Sequence, residues 1–135
     1  MERILYLKQT VFEATAYTIS GLKDIFSLRN EIDKLALKHL FSIESYRKAV
    51  RDILPLKNKI PIYFSSKLFL FYLRSNDKSL YYINFYEILK ICFTNNIIII
   101  FKNGEKLELE ISKEIVNREL KKIKIISNYL NNLLW

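Results

Sequence analysis

The segment from Pro61 to Ile111 is a succession of short apolar and aromatic stretches, and it constrains the fold more than any other feature. β-Branched and aromatic residues dominate each stretch, which is typical of β-strands. The stretches read PIYF, KLFLFYLR, LYYINFYEI, LKICFT, IIIIFK and KLELEI. Polar spacers such as SNDK, TNN and KNGE separate them, and connections this short join antiparallel strands. The segment therefore predicts a mostly antiparallel sheet.

The last two stretches meet at Asn103-Gly104, a dipeptide that favours a type I′ hairpin turn because both central positions need a positive φ. Lys102 and Lys106 flank this turn. The two lysines are candidates for contact with an anionic partner. They equally suit the protection of a strand end against edge-to-edge pairing, and the sequence leaves both interpretations open.

One helix is predicted before the strand segment in sequence, and another after it. The first covers residues 44–54, with Ser42 as a possible N-cap, and it ends before Pro55 because proline disfavours helical geometry in the preceding residue. The second begins at Ser112 and runs to about Leu134. Its apolar residues follow the 3.6-residue period of a helix laid on a sheet: Val116, Leu120, Ile123, Ile126, Leu130 and Leu133.

The N-terminal region is less uniform. Residues 4–20 are rich in β-branched and aromatic residues and predict one or two strands. Residues 22–41 are ambiguous, since the spacing of the apolar residues favours a helix while IFSLR is compatible with a short strand. The fold class predicted for residues 1–135 is a single α+β domain. It consists of an antiparallel sheet or partly open barrel with a short central helix and a C-terminal amphipathic helix, and a pleckstrin-homology-like arrangement is one form of this class.

Catalytic chemistry has little support in this sequence. Two glycines are too few for a glycine-rich phosphate loop. His39 and Cys92 are the only histidine and cysteine, which is too few for a zinc site, and His39 has no acidic partner nearby. We expect packing or surface roles for His39, a buried position for Cys92, no cofactor and no enzymatic activity. The longest apolar run, Leu68 to Leu73, is too short to span a bilayer, so we expect a cytoplasmic protein.

The positive charge is concentrated in two segments. The chain carries a formal net charge of +8. Residues 34–59 have an excess of +5 and residues 112–135 an excess of +3, which together account for the whole net charge. A concentrated excess indicates a polyanionic partner, either nucleic acid or an acidic membrane surface. The alternative is a solvated lysine-rich surface without a partner.

Three segments in order resemble the ComK family of competence transcription factors. The first is SYRKAVRDILPLKNKIPIYFSSKLFLFYL (residues 45–73), with an Arg-x-Ala-Val-basic helix, a short loop, Lys-Ile-Pro-Ile and an aromatic strand. The second is YYINFYEI (residues 81–88). The third is IIIFKNGEKLELEIS (residues 98–112), which contains a Phe-x-Asn-Gly hairpin and the serine that opens the last helix.

The resemblance implies a DNA-binding transcriptional activator that recognises paired A/T-rich boxes, largely through the minor groove, and acts as an oligomer. The sequence departs from the family pattern at several places. The loop before the first predicted helix is reduced to ESYR, and Tyr72-Leu73 replaces the usual Pro-Thr. Glu119 stands where the family has Gln, and Lys122-Ile123 where it has an Arg-Thr pair.

The best candidates for DNA contact are Arg47 and Arg51, which lie four residues apart on one helix face. Arg51 has no acidic residue three or four positions away, whereas Lys48 lies between Glu44 and Asp52. The remaining candidates are Lys57 and Lys59 in the following loop, Lys48, Lys102 and Lys106, and a second patch of Arg118, Lys121 and Lys122. The apolar end YLNNLLW suits a homodimer contact and equally suits packing in the core.

A second hypothesis keeps the same fold and changes the partner. Several antiparallel strands followed by one amphipathic helix is also the architecture of pleckstrin-homology modules. Lys102 and Lys106 beside a hairpin turn would then contact an anionic lipid head group. A module that binds a regulatory protein without binding DNA also remains possible, because fold does not fix function.

Overall fold

The computed structural model describes residues 3–133 and has the α+β fold that the sequence predicts. The strands are β1 (Ile4–Gln9), β2 (Ala14–Thr18), β3 (Gly21–Ile25), β4 (Ile62–Ser65), β5 (Leu68–Arg74), β6 (Leu80–Asn84), β7 (Ile88–Phe93), β8 (Ile97–Phe101) and β9 (Lys106–Leu109). The helices are α1 (Leu28–Lys38), α2 (Ile43–Ile53) and α3 (Lys113–Leu133). A 3-10 turn, Phe85–Glu87, precedes β7.

The strands form two antiparallel sheets. Six strands make the larger sheet in the order β3-β2-β1-β6-β5-β4, and three make the smaller one in the order β7-β8-β9. Every pairing joins antiparallel neighbours. Neither sheet closes into a barrel within residues 3–133, so the open-sheet form of the prediction is the one that the chain adopts.

The continuous apolar run of β5 reflects burial of the larger sheet on both faces. Leu68 and Leu70 point toward α1 and α2, in a core that also contains Ile32 and Leu35. Phe69 and the alternate residues after it point to the opposite face, where they meet the smaller sheet and the apolar stripe of α3. Strands that are covered on both faces have uninterrupted rather than alternating apolar sequences.

Capping residues explain where the helices begin. Ser42 Oγ accepts a hydrogen bond from Ser45 N at 3.2 Å, as an N-cap does, and Leu54 ends α2 in an extended conformation before Pro55. Ser112 Oγ accepts one from Ile115 N at 3.3 Å. In the ambiguous N-terminal region, Ser27 caps α1 by accepting from Asn30 N at 3.0 Å. IFSLR is therefore divided between the end of β3 and the start of a helix.

Two local predictions were wrong. Among the residues of the Asn103-Gly104 turn, only Gly104 has a positive φ, of 91°, so the turn is not type I′. Phe101 O accepts from Gly104 N at 2.9 Å and Phe101 N donates to Glu105 O at 2.8 Å, which gives a three-residue loop that needs only one left-handed residue. Cys92 is half-exposed rather than buried, because it pairs with Ile98 on the outer face of the smaller sheet.

Candidate nucleic-acid interface

A neutral side chain fixes α2 to the body of the protein. The Tyr46 hydroxyl donates to Pro61 O at 2.7 Å and accepts from Tyr63 N at 3.1 Å. Burial raises the pKa of Tyr46 to about 12, so this phenol stays uncharged at neutral pH. The contact orients α2 across the start of β4 and uses none of the helix's positive charge.

Arg47 and Lys59 are linked through two tyrosine rings. Arg47 Nη2 lies 3.4 Å from the Tyr82 hydroxyl, and burial raises the pKa of Tyr82. The Tyr82 and Tyr72 rings meet edge to face with centroids 5.6 Å apart. Lys59 Nζ lies 5.4 Å from the Tyr72 centroid, which is a cation–π distance. One surface therefore carries residues from α2, from the loop that follows α2, and from the strands β5 and β6.

Arg51 joins the same surface from the next turn of α2. Its Nε donates to Lys57 O at 3.3 Å, and the side chains of Arg51, Lys57 and Lys59 are all exposed. Within residues 3–133, none of the four predicted cations makes an ion pair with a carboxylate. We call Arg47, Arg51, Lys57 and Lys59 the α2–loop cluster.

Lys48 differs from its two arginine neighbours. Its Nζ lies 3.2 Å from Asp52 Oδ2, and both side chains are largely exposed. This is an i,i+4 pair of the kind that the sequence indicated. Lys48 therefore borders the α2–loop cluster with its charge locally balanced.

The predicted second patch on α3 is organised around a buried acid. Glu119 is 1% exposed; its Oε2 lies 3.2 Å from Arg118 Nε and its Oε1 lies 3.0 Å from Lys122 Nζ. Lys122 also donates to Asn58 O at 2.9 Å, so it holds α3 against the loop of the α2–loop cluster. We call Arg118, Glu119 and Lys122 the Glu119 cluster. Lys121, the third predicted residue of this patch, is exposed.

The two hairpin lysines lie on the smaller sheet. Both are exposed. Lys102 borders a groove between β7 and α3, whereas Lys106 pairs across the hairpin with Ile100 on the outer face. No contact in the described part of the chain links either lysine to the α2–loop cluster.

Sequence reasoning missed Tyr72, Tyr82 and the role of Glu119. The two tyrosines belong to strands and contact the cations only in the folded chain. Glu119 did leave a signal, because it lies three residues after the buried Val116 and four before the buried Ile123. Charged residues are seldom buried without a partner, so a carboxylate in that apolar row should have suggested Lys122.

The remaining described residues give no sign of a catalytic or metal site. His39 Nδ1 lies 2.8 Å from Leu35 O, and its ring lies against Phe64 with centroids 5.5 Å apart. Among residues 3–133, no three His, Cys, Asp or Glu side chains are grouped closely enough to hold a metal ion. None of the helices in that range is long and apolar enough to cross a membrane.

The fold and the basic residues define a small α+β protein whose α2–loop cluster makes no ion pair within residues 3–133. The family model described as "ComK protein" matches residues 26–132. The chain therefore belongs to the ComK family, a family of competence transcription factors, and the resemblance of the three segments is confirmed. No curated protein and no solved structure matches the chain.

Proposed function

We propose that this protein regulates transcription by binding A/T-rich duplex DNA, largely through the minor groove and the phosphates. The observation that supports this most directly is the α2–loop cluster, in which Arg47 and Arg51 lie on one helix face and neither is neutralised by a carboxylate of the described residues. Membership of the ComK family supports the same reading.

The negative potential of A/T-rich DNA suits a cluster of positive charges. The minor groove presents a degenerate set of acceptors, but A-tracts narrow it and deepen its negative potential, which attracts arginine and lysine. Arg47 is half-buried and held by Tyr82, so its guanidinium loses less conformational freedom on binding than that of a freely rotating side chain. Arg51, Lys57 and Lys59 are exposed and make no ion pair within residues 3–133, so their charges can contact phosphates.

The remaining candidates take secondary roles in this proposal. Lys48 and Lys121 are exposed and would extend the phosphate surface on either side. Arg118 and Lys122 are engaged by Glu119, so they contribute chiefly by holding α3 and the loop together. Lys102 and Lys106 would reach DNA only where a long duplex passes the smaller sheet.

We also propose that the protein acts as a homodimer in the cytoplasm, without enzymatic activity. An apolar groove of ≈ 250 Å³ lies between α2 and α3, lined in part by Ile53, Tyr129 and Leu130. Ile53 is 57% and Leu133 60% exposed, and exposed apolar surface of this kind is typical of interfaces. The last two residues of the YLNNLLW end lie outside the described residues.

The test is the salt dependence of DNA affinity for Arg47→Ala/Arg51→Ala. The logarithm of the affinity falls with the logarithm of salt concentration by about 0.9 for each phosphate contacted. Loss of two contacts should therefore reduce that slope by roughly 1.8. Lys34→Ala/Lys38→Ala on α1 removes the same charge elsewhere and should leave the slope unchanged. Equal slopes in the wild type and the arginine variant would refute the assignment.

A comparison of A/T-rich duplex, G/C-rich duplex and anionic liposomes at one salt concentration separates the two hypotheses. We expect the A/T-rich duplex to bind most tightly. Binding to liposomes that is lost on Lys102→Ala/Lys106→Ala, without binding to either duplex, would instead establish the pleckstrin-homology-like alternative.

A further inference from the structure

The groove between β7 and α3 is separate from the α2–loop cluster and encloses ≈ 500 Å³. Phe85 and Tyr86 of the 3-10 turn close one end, and Asn117 and Leu120 of α3 form one wall. The opposite wall is β7 itself, where Leu89 is 64% and Phe93 40% exposed. Two large apolar side chains of this wall are therefore open to solvent.

β7 is one of the two edge strands of the smaller sheet; β9 is the other. β7 has one neighbour, β8, among the described strands, so its second edge carries main-chain N–H and C=O groups that no strand satisfies. Lys90 and Ile91 are consecutive residues that point to opposite faces, yet both line the groove, so the groove runs along this open edge. A register shift between Ile88 and Lys90 limits the regular edge to Lys90–Phe93.

The charged side chains among the described residues that line the groove are all positive. Lys90 and Lys102 line it, and none of the described residues that line it is acidic. Lys113 Nζ lies 5.3 Å from the Phe93 ring centroid at one end of the groove. Lys124 lies one helical turn beyond Leu120 on the same face of α3. Glu87 and Glu119 directly precede the lining residues Ile88 and Leu120 in sequence, and both are buried and paired, Glu87 with Arg3 and Glu119 with Arg118 and Lys122. One exposed acid, Glu114, lies three residues before Asn117 on α3.

We propose that this groove binds an extended acidic segment of another protein, which pairs with Lys90–Phe93 as a fourth strand of the smaller sheet. Addition of a strand to an open sheet edge supplies main-chain hydrogen bonds, and pockets for alternate side chains supply specificity. Here the apolar side chains of the segment would contact Leu89 and Phe93, and its carboxylates would face Lys90, Lys102 and Lys124. This assigns Lys102 to a protein-binding surface and leaves the α2–loop cluster free for DNA.

The experiment uses the full chain and a capped hexapeptide that alternates glutamate and valine. Titration by NMR should show saturable binding, with slower exchange of those amides among residues 90–93 that point away from β8. Lys90→Glu/Lys124→Glu should weaken binding roughly tenfold, since charges at the rim of an interface govern association. The matched control, Lys34→Glu/Lys38→Glu, has the same net charge and should bind within about twofold of the wild type. All four side chains are exposed, and circular dichroism verifies that both variants fold.

Several outcomes would overturn the proposal. One is the absence of saturable binding up to about 1 mM peptide, the weak end of measurable affinity. Another is equal weakening by the two lysine pairs, or protection of amides elsewhere than in β7. If an A/T-rich duplex slows exchange at residues 90–93 in place of the peptide, the groove belongs to the DNA surface. DNA binding by the α2–loop cluster is measured separately and does not depend on this result.

Discussion

Helices α2 and α3 are both attached to the connection between α2 and β4, but by opposite chemistry. Tyr46 of α2 donates to Pro61 O at 2.7 Å through an uncharged phenol. Lys122 of α3 donates to Asn58 O at 2.9 Å, and its charge is balanced by the buried Glu119. The Tyr46 attachment of α2 involves no charged group, whereas the Lys122 attachment of α3 belongs to a cluster in which two cations are paired with one carboxylate.

The difference shows that the number of basic residues in a helix does not tell how many of them already face an acid. Both helices carry cations in excess of acids, yet only α2 keeps its arginines free of carboxylates within the described residues. A cation that already faces a buried acid must give up part of that interaction to bind a phosphate. The neutral attachment of α2 is therefore what leaves Arg47 and Arg51 available.

The largest expected effect comes from removal of the acid in α3. Glu119→Ala should lower the free energy of unfolding by about 3 kcal/mol, because it leaves Lys122 partly buried without its partner. Urea denaturation measures this. Glu114→Ala, an exposed acid on the same helix, should change stability by less than about 0.5 kcal/mol. Similar losses in the two variants would mean that the Glu119 cluster does not hold α3.

Alkaline pH should test the attachment of α2. The folded Tyr46 titrates near pH 12 and an unfolded tyrosine near pH 10, so its contribution to stability is complete below pH 10 and is lost as the pH rises toward 12. Two pH units correspond to a loss of roughly 2–3 kcal/mol. Tyr46→Phe should be less stable at pH 7, through loss of two hydrogen bonds, and should lose less stability between pH 10 and 12. An unchanged alkaline loss would contradict this assignment.

Single arginine variants compare the two helices directly. Arg51→Ala should weaken binding to an A/T-rich duplex by roughly tenfold, or about 1.4 kcal/mol. Arg118→Ala, which removes a cation already paired with Glu119, should weaken it by less than about twofold. Fluorescence anisotropy at fixed salt concentration measures both. Equal losses would show that a buried partner does not withhold a cation from DNA.

The smallest effect should follow from removal of the ion pair between Lys48 and Asp52. Asp52→Ala removes the acid 3.2 Å from Lys48 Nζ, so we expect a slight rise in DNA affinity, of about twofold. The free energy of unfolding should fall by only about 0.3–0.5 kcal/mol, the usual contribution of an exposed i,i+4 pair. Weaker DNA binding would place Asp52, and not Lys48, at the interface.

Local signals predicted α2 and α3 closely, whereas the segment that contains α1 was left ambiguous. Ser42 and Pro55 predicted the two ends of α2 to within one residue, and Ser112 predicted the start of α3. Such signals are accurate because caps and prolines act on the neighbouring backbone. The division into two sheets was not predicted. It depends on the pairing of β1 with β6, strands more than sixty residues apart in sequence, and no local pattern specifies such a partner.

The candidate site was likewise predictable where it depends on neighbouring residues and not where it depends on distant strands. Arg47 and Arg51 share a face because helical geometry fixes residues four apart, and Lys59 lies in the adjoining loop. Their contacts with Tyr82 and Tyr72 come from strands distant in sequence. The type I′ prediction at Asn103-Gly104 was wrong because the dipeptide is equally compatible with a three-residue loop, and the surrounding register decides between them.

The position of β1 has a consequence for where the domain begins. The family match starts at residue 26, after β3, yet β1 lies between β2 and β6 in the larger sheet. A fragment that began at residue 26 would remove one of the two neighbours of β6 and uncover Ile83 and Tyr81 to water. We propose that the folding unit includes the first three strands, so that trimming the chain to its recognisable part would yield an aggregating protein.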